Sequence, residues 1–121
     1  MAEYLIAFND EWVGEHTVEE LQAKSRVLRP LLTEMRDAGV LIFTGGLDDE
    51  FPVFSVDASS GTPVFTDGPF AETKEHLGGF AVVDVADDAS LRHWAGRIAE
   101  ACGWPQQVHR FQTRMQLPED Q

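Results

Sequence analysis

Cysteine occurs once in this chain, at Cys102, so no disulfide can close within it. A lone thiol suits a reducing compartment, and the cytoplasm is the expected location. Basic residues are also scarce. Nine Lys and Arg stand against 21 Asp and Glu, for a formal charge of −12. Such a surface repels phosphate backbones and anionic headgroups, which argues against nucleic-acid and membrane partners. No apolar run approaches the roughly 20 residues that a membrane-spanning helix needs. The first residues show no basic segment leading into an apolar one, so no secretory leader is expected. The four histidines, His16, His76, His93 and His109, lack the H-x-x-x-H kind of spacing, and no metal is expected. Gly45-Gly46 and Gly78-Gly79 fit no phosphate or dinucleotide loop, so no cofactor is expected either.

What is present suffices for one domain. The chain has 121 residues, 43% of them apolar, which allows a real but small core. The expected domain covers residues 1–116, with 117–121 as a fraying tail.

The apolar pattern sets the elements. Glu3 to Phe8 reads as a strand, apolar on both alternating sets. Thr17-Val18-Glu19-Glu20 is a capping box. It opens a helix with the stripe Val18, Leu21, Ser25, Leu28, Leu32 and Met35. Pro30 predicts a kink or a division into two short helices, and Gly39 supplies the stop. Val40 to Thr44 is a second strand. Val53–Val56 and Thr62–Thr66 read as a hairpin around Asp57–Gly61. Gly79 to Val85 is a core strand. Asp87 or Asp88 caps a second helix with the face Leu91, Trp94, Ala95, Ile98 and Cys102, closed by Gly103. Gln107 to Met115 is a last strand, with His109 and Phe111 on one face. The order predicts an α+β, ferredoxin-like βαββαβ-type subunit with an inserted hairpin. Two helices cover one face of such a sheet, yet three strands are apolar on both. A second copy packed sheet to sheet is the expected cover, in a two-fold homodimer.

The segment Thr66-Asp67-Gly68-Pro69-Phe70-Ala71-Glu72-Thr73-Lys74-Glu75-His76-Leu77-Gly78-Gly79-Phe80 concentrates the chemistry. Asp67-Gly68-Pro69 is turn material, and Phe70 can anchor the loop by burial. Two readings stand side by side. In one, the segment is a rigid fastening between hairpin and core strand. In the other, Asp67, Glu72 and His76 form a catalytic cluster, and Lys74 and Phe70 hold a ligand. A carboxylate desolvated there would have a raised pKa and could move protons. His109 and the loop tryptophan Trp12 join the candidate ligand contacts. Trp104, also in a loop, is free for a ligand or an interface, whereas Trp94 belongs to the core stripe. Cys102 reads as a packed residue near a helix end.

This segment resembles the DGPF-domain group of the YCII-related proteins, with His76 where Gln is expected. Met35-Arg36-Asp37-Ala38-Gly39-Val40-Leu41 is similar as well. The resemblance covers essentially the whole chain and implies a dimeric α+β barrel. It also implies a His–Asp catalytic pair on the first helix. The Asp falls on Asp37, but the His position falls on Leu28, so the pair is broken here. Relatives associated with extracytoplasmic-function sigma factors bring in a regulatory or accessory role.

Three functions follow as expectations. The first is a homodimeric small-molecule-binding or regulatory module, with its ligand between the central sheet and the Asp67–His76 segment. The second is an enzyme using acid–base chemistry on a small organic substrate. The third is an interaction protein whose acidic surface meets a regulatory protein partner.

Overall fold

The computed structural model describes residues 2–48, 50–68 and 77–112. Strand β1 (Ala2–Asn9) is followed by a single 3-10 turn (Asp10–Trp12), helix α1 (Val18–Asp37) and strand β2 (Leu41–Gly46). A hairpin of β3 (Phe54–Asp57) and β4 (Val64–Asp67) comes next. Strand β5 (Leu77–Val85), helix α2 (Asp88–Cys102) and strand β6 (Gln107–Arg110) complete the order. The main sheet runs β2-β5-β1-β6, and every pairing in it is antiparallel. The hairpin forms a separate two-stranded sheet. The architecture is α+β, two helices with antiparallel sheets, and is compatible with a ferredoxin-like plan.

Each helix begins and ends where its local chemistry dictates. The Thr17 hydroxyl accepts from the Glu20 N–H at 3.1 Å, and the Asp87 carboxylate accepts from the Ser90 N–H at 2.8 Å. Gly39 and Gly103 take φ of 77° and 76°, the left-handed conformation that ends a helix cheaply only at glycine. Pro30 neither divides α1 nor ends it; one helix runs through. The lost hydrogen bond would have gone to the carbonyl of Arg26, and both residues lie on the exposed side, where water can serve that oxygen.

The core lies between the helices and one sheet face. Ile6, Ala81, Val83 and Val85 pack against Leu31, Met35, Leu91, Ile98 and Cys102. Complete burial of Met35 and Val83 removes each from water at a gain of about 1.5–3 kcal/mol. The stripe expected on α1 is buried only in its second half. Val18 is 70% exposed, because α1 begins beyond the edge of the packed core. Arg97 of α2 forms an ion pair with Glu34 of α1 and joins the helices at their surface.

Register separates the two sheet faces. Ile6 lies opposite Ala81 and Tyr4 opposite Val83, toward the helices. Leu5, Ala7, Val82 and Phe80 therefore point to the other face. Phe43 joins them opposite Val82, after an irregularity at Ile42, and its ring lies 5.8 Å from that of Phe80. Phe43 is 58% exposed, and among the described residues no helix packs on this face.

Strand limits shift by a few residues from those the pattern predicts. β2 continues through Gly45 and Gly46, which stay in the ladder opposite Phe80 and Gly79. β6 ends at Arg110, although the Phe111 N–H still donates to the Glu3 carbonyl at 2.9 Å. The expected extension to Met115 and the tail 117–121 lie outside the described residues.

Gly78 and Gly79 are explained by a neighbour. The Phe8 ring lies so close that a Cβ would come within 2.5 Å of it at Gly78 and 2.8 Å at Gly79. At Gly79 the Gly45 carbonyl, 3.1 Å away, blocks retreat. Gly79→Ala is expected to destabilise the fold by about 1–3 kcal/mol through overpacking. Urea unfolding of Gly79→Ala, Phe8→Leu and the double variant checks this. Strongly non-additive losses are expected; simple additivity would remove Phe8 as the cause.

Candidate functional site

A cleft of about 300 Å³ opens between the helix layer and the sheet. Leu21, Lys24, Ser25 and Leu28 line it from α1, and Ile98 and Cys102 from α2. Its floor is Ile6 and Phe8 of β1, Ala81 of β5, and Thr44 to Gly46 of β2. Trp104 and Gln106, after α2, close one end. The size and apolar character match small-ligand sites, which usually hold about 300–1,000 Å³.

Local sequence explains the shape. Gly46 presents bare backbone on the cleft side of β2, where a Cβ would meet open space, whereas a Cβ at Gly45 would turn to the Phe43 ring on the other face. Gly103 ends α2 and turns the chain so that the Trp104 ring meets Phe8 at 4.8 Å. Lys24 reaches across from α1. Its ammonium donates to the Cys102 carbonyl at 2.5 Å and lies 5.0 Å from the centre of the Trp104 ring. The contact is a cation at a helix C-terminus and over an aromatic face, both favourable.

The polar groups of this cleft are few and mostly engaged. Thr44 Oγ1 donates to the Phe80 carbonyl at 3.0 Å, and Ser25 Oγ accepts from Arg29 at 3.3 Å. Burial pushes the Cys102 thiol pKa up, with the Lys24 charge opposing, so the thiol stays protonated and unactivated. Among the described residues the lining holds no carboxylate and no imidazole. That composition suits holding a molecule better than moving its protons.

A second cavity, about 190 Å³, lies at the end of the other sheet face. Leu5, Ala7, Leu77 and Gln107 line it together with Trp12 and His109. The structure thus brings together two of the residues singled out in the sequence. Phe8 lines both cavities.

The remaining sequence candidates that are described lie apart from one another. Asp67 ends β4, is exposed, pairs across the hairpin with Phe54 and lines neither cavity. Gly68 beside it makes the expected turn, with φ of 84° and its N–H on the Val53 carbonyl at 2.7 Å. Asp37 sits at the far end of α1, its side chain 69% exposed and 3.6 Å from Arg36. Leu28 does line the cleft, nine residues before Asp37, which on a helix is about 13 Å away. Phe70, Glu72, Lys74 and His76 lie outside the described residues. His93 is on the surface, edge-on to Trp94 at 4.8 Å. No group of His, Cys, Asp or Glu among the described residues could hold a metal ion. No described helix is long and apolar enough to cross a membrane.

Sequence reasoning missed Lys24, Phe8, Thr44 and Gln106 as site residues. For Lys24 a signal existed: it lies three residues after Leu21 and four before Leu28, a charge inside an apolar helical stripe.

The thiol supplies a test of the cleft's dryness. Because its folded pKa is raised, the folded state holds the proton more tightly than the unfolded chain. Stability is therefore expected to fall as pH rises above about 8.5. In Cys102→Ala that part of the alkaline loss should vanish in denaturation curves compared between pH 7 and 10. Equal slopes would mean a hydrated thiol.

No curated protein matches the chain. The model of the YCII-related domain matches residues 3–102, a span from β1 through α2 that includes most of the cleft wall, and the chain accordingly belongs to the YCII-related family.

Proposed function

We propose that the protein is a homodimeric small-molecule-binding module with a regulatory or accessory role, and that its ligand occupies the cleft between the helices and the sheet. The observation that carries this reading is the cleft itself: an open, mainly apolar space in the middle of a small core. Wetted apolar walls of this extent carry a cost that a bound apolar molecule would remove. Asp67 lines neither cavity, and Phe70, Glu72, Lys74 and His76 lie outside the described residues, so this reading rests on the helix–sheet cleft alone.

Dimerisation is supported by the second sheet face. Leu5, Phe43, Phe80 and Val82 share it, and an apolar sheet face is stable only when covered. Asp84 shares the face too, opposite Glu3, and its Oδ1 is buried without a hydrogen-bond partner among the described residues. A buried oxygen in that condition favours a donor from a second copy.

The binding reading is tested with a neutral apolar fluorophore, N-phenyl-1-naphthylamine. Wild type is expected to bind one probe per chain. Leu28→Trp, whose indole would occupy the cleft, is expected to bind it about tenfold or more weakly while melting normally. Undiminished probe binding by a folded Leu28→Trp protein would locate the probe elsewhere. For assembly, sedimentation velocity is expected to give a dimer for wild type and a monomer for Phe43→Glu. A monomeric wild type sinks the homodimer.

A further inference from the structure

We propose that the cleft selects a small monocarboxylate with an apolar body, its carboxylate held by the Lys24 ammonium; this deepens the binding reading above and rests on it. The first ground is charge. The chain carries 21 acidic and 9 basic residues, yet among the described lining residues the only charged side chain is Lys24. An acidic protein that keeps its carboxylates out of one apolar cleft, and places a cation there, has arranged that cleft for a negative group.

The second ground is geometry. An ammonium has three N–H donors, and the structure gives one of them to the Cys102 carbonyl at 2.5 Å. Lys24 is half-buried and lines the cleft. The Trp104 ring, itself part of the cleft lining, lies 5.0 Å from Nζ. A partly desolvated cation forms its strongest hydrogen bonds with an anionic acceptor.

The third ground sets the charge of the ligand. Cys102 is the last residue of α2, so its carbonyl carries the negative end of the helix dipole. That oxygen already offsets part of the Lys24 charge. One lysine so compensated, with no arginine fork in the lining, suits a single negative charge better than a phosphate dianion. Leu21, Leu28, Phe8 and Ile98 provide the surface for an apolar body. A space of about 300 Å³ equals about ten water volumes, which admits a ligand on the order of ten non-hydrogen atoms.

A Lys24 that served only to cap α2 would affect stability and leave ligand choice unchanged. Competition experiments separate the two. Octanoate and 1-octanol share a chain and differ in headgroup, and each is titrated against bound N-phenyl-1-naphthylamine at pH 7. The octanoate-to-octanol affinity ratio, each affinity corrected for the variant's own probe affinity, is expected to fall about tenfold in Lys24→Met and to be retained in Lys24→Arg. Should Lys24→Met not fold, Lys24→Gln carries the same comparison. If the probe binds but the ratio is the same in wild type and the charge-free variant, the headgroup assignment is overturned and the cleft reading stands. If neither the probe nor octanoate binds wild type, the binding reading itself fails, and the assignment with it.

Discussion

The fit of one phenyl ring against bare backbone organises this molecule. Phe8 lies on Gly78 and Gly79 at a distance no Cβ would allow, so the ends of β1 and β5 approach closely. Beyond this point the register of β1 against β5 breaks, between Phe8 and Asn9. Phe8 also meets Trp104, which ties the end of the central strand pair to the chain leaving α2. The same ring lines the helix-side cleft and the smaller cavity on the opposite face. One contact therefore partitions the interior and positions the aromatic end wall of the cleft. The glycine pair is a seat for a side chain from another strand.

The electrostatics of the cleft follow from that frame. Gly103 ends α2 early enough for Cys102 to direct its carbonyl at Lys24, and Trp104 follows at once to form the ring beside it. The carbonyl and the ring both attract the ammonium, so α1 is drawn to α2 at the cleft mouth. At the helices' outer surface Arg97 and Glu34 make a second link, and Arg97 lies 5.4 Å from the Trp94 ring. Among the described residues two polar links thus add to the apolar packing between the helices, with the cleft next to the first. A cavity bounded in this way can keep its shape when empty, which lowers the ordering cost of filling it.

Local signals were legible in the sequence, and long-range ones were not. The Thr17 and Asp87 caps, the Gly39 and Gly103 stops and the strand order depend on neighbours within a few residues or on simple periodicity. The acidic segment attracted attention because its charges are adjacent in sequence. Adjacency in a chain does not by itself bring side chains to one point; Asp67 ends an exposed hairpin strand, and residues 69–76 lie outside the described residues. The cleft shows the reverse. Phe8, Lys24, Thr44 and Trp104 are far apart in sequence and meet only after the sheet and helices close. Pro30 marks another limit: a residue that breaks helices in general is carried by α1 because the affected carbonyl faces water.

Leu28 connects the family resemblance to the reading of the cleft. The resemblance placed a histidine of a catalytic pair at this position and its acid at Asp37. In this chain the position lies in the cleft wall, so the place is right for contact with a ligand, while the side chain is purely apolar. Asp37 is exposed at the end of the helix, about 13 Å further along, and lies closest to Arg36. Restoring only an imidazole at residue 28 would therefore not rebuild a pair within one subunit. The substitution has another consequence. A histidine here would place a second titratable group near Lys24 on the same stripe, four residues away and one turn along. Leucine leaves Lys24 as the single charge facing an apolar wall. A cleft whose described lining holds a cation and no carboxylate or imidazole is chemically suited to hold an anion, and this is why binding, rather than turnover, is the reading we favour.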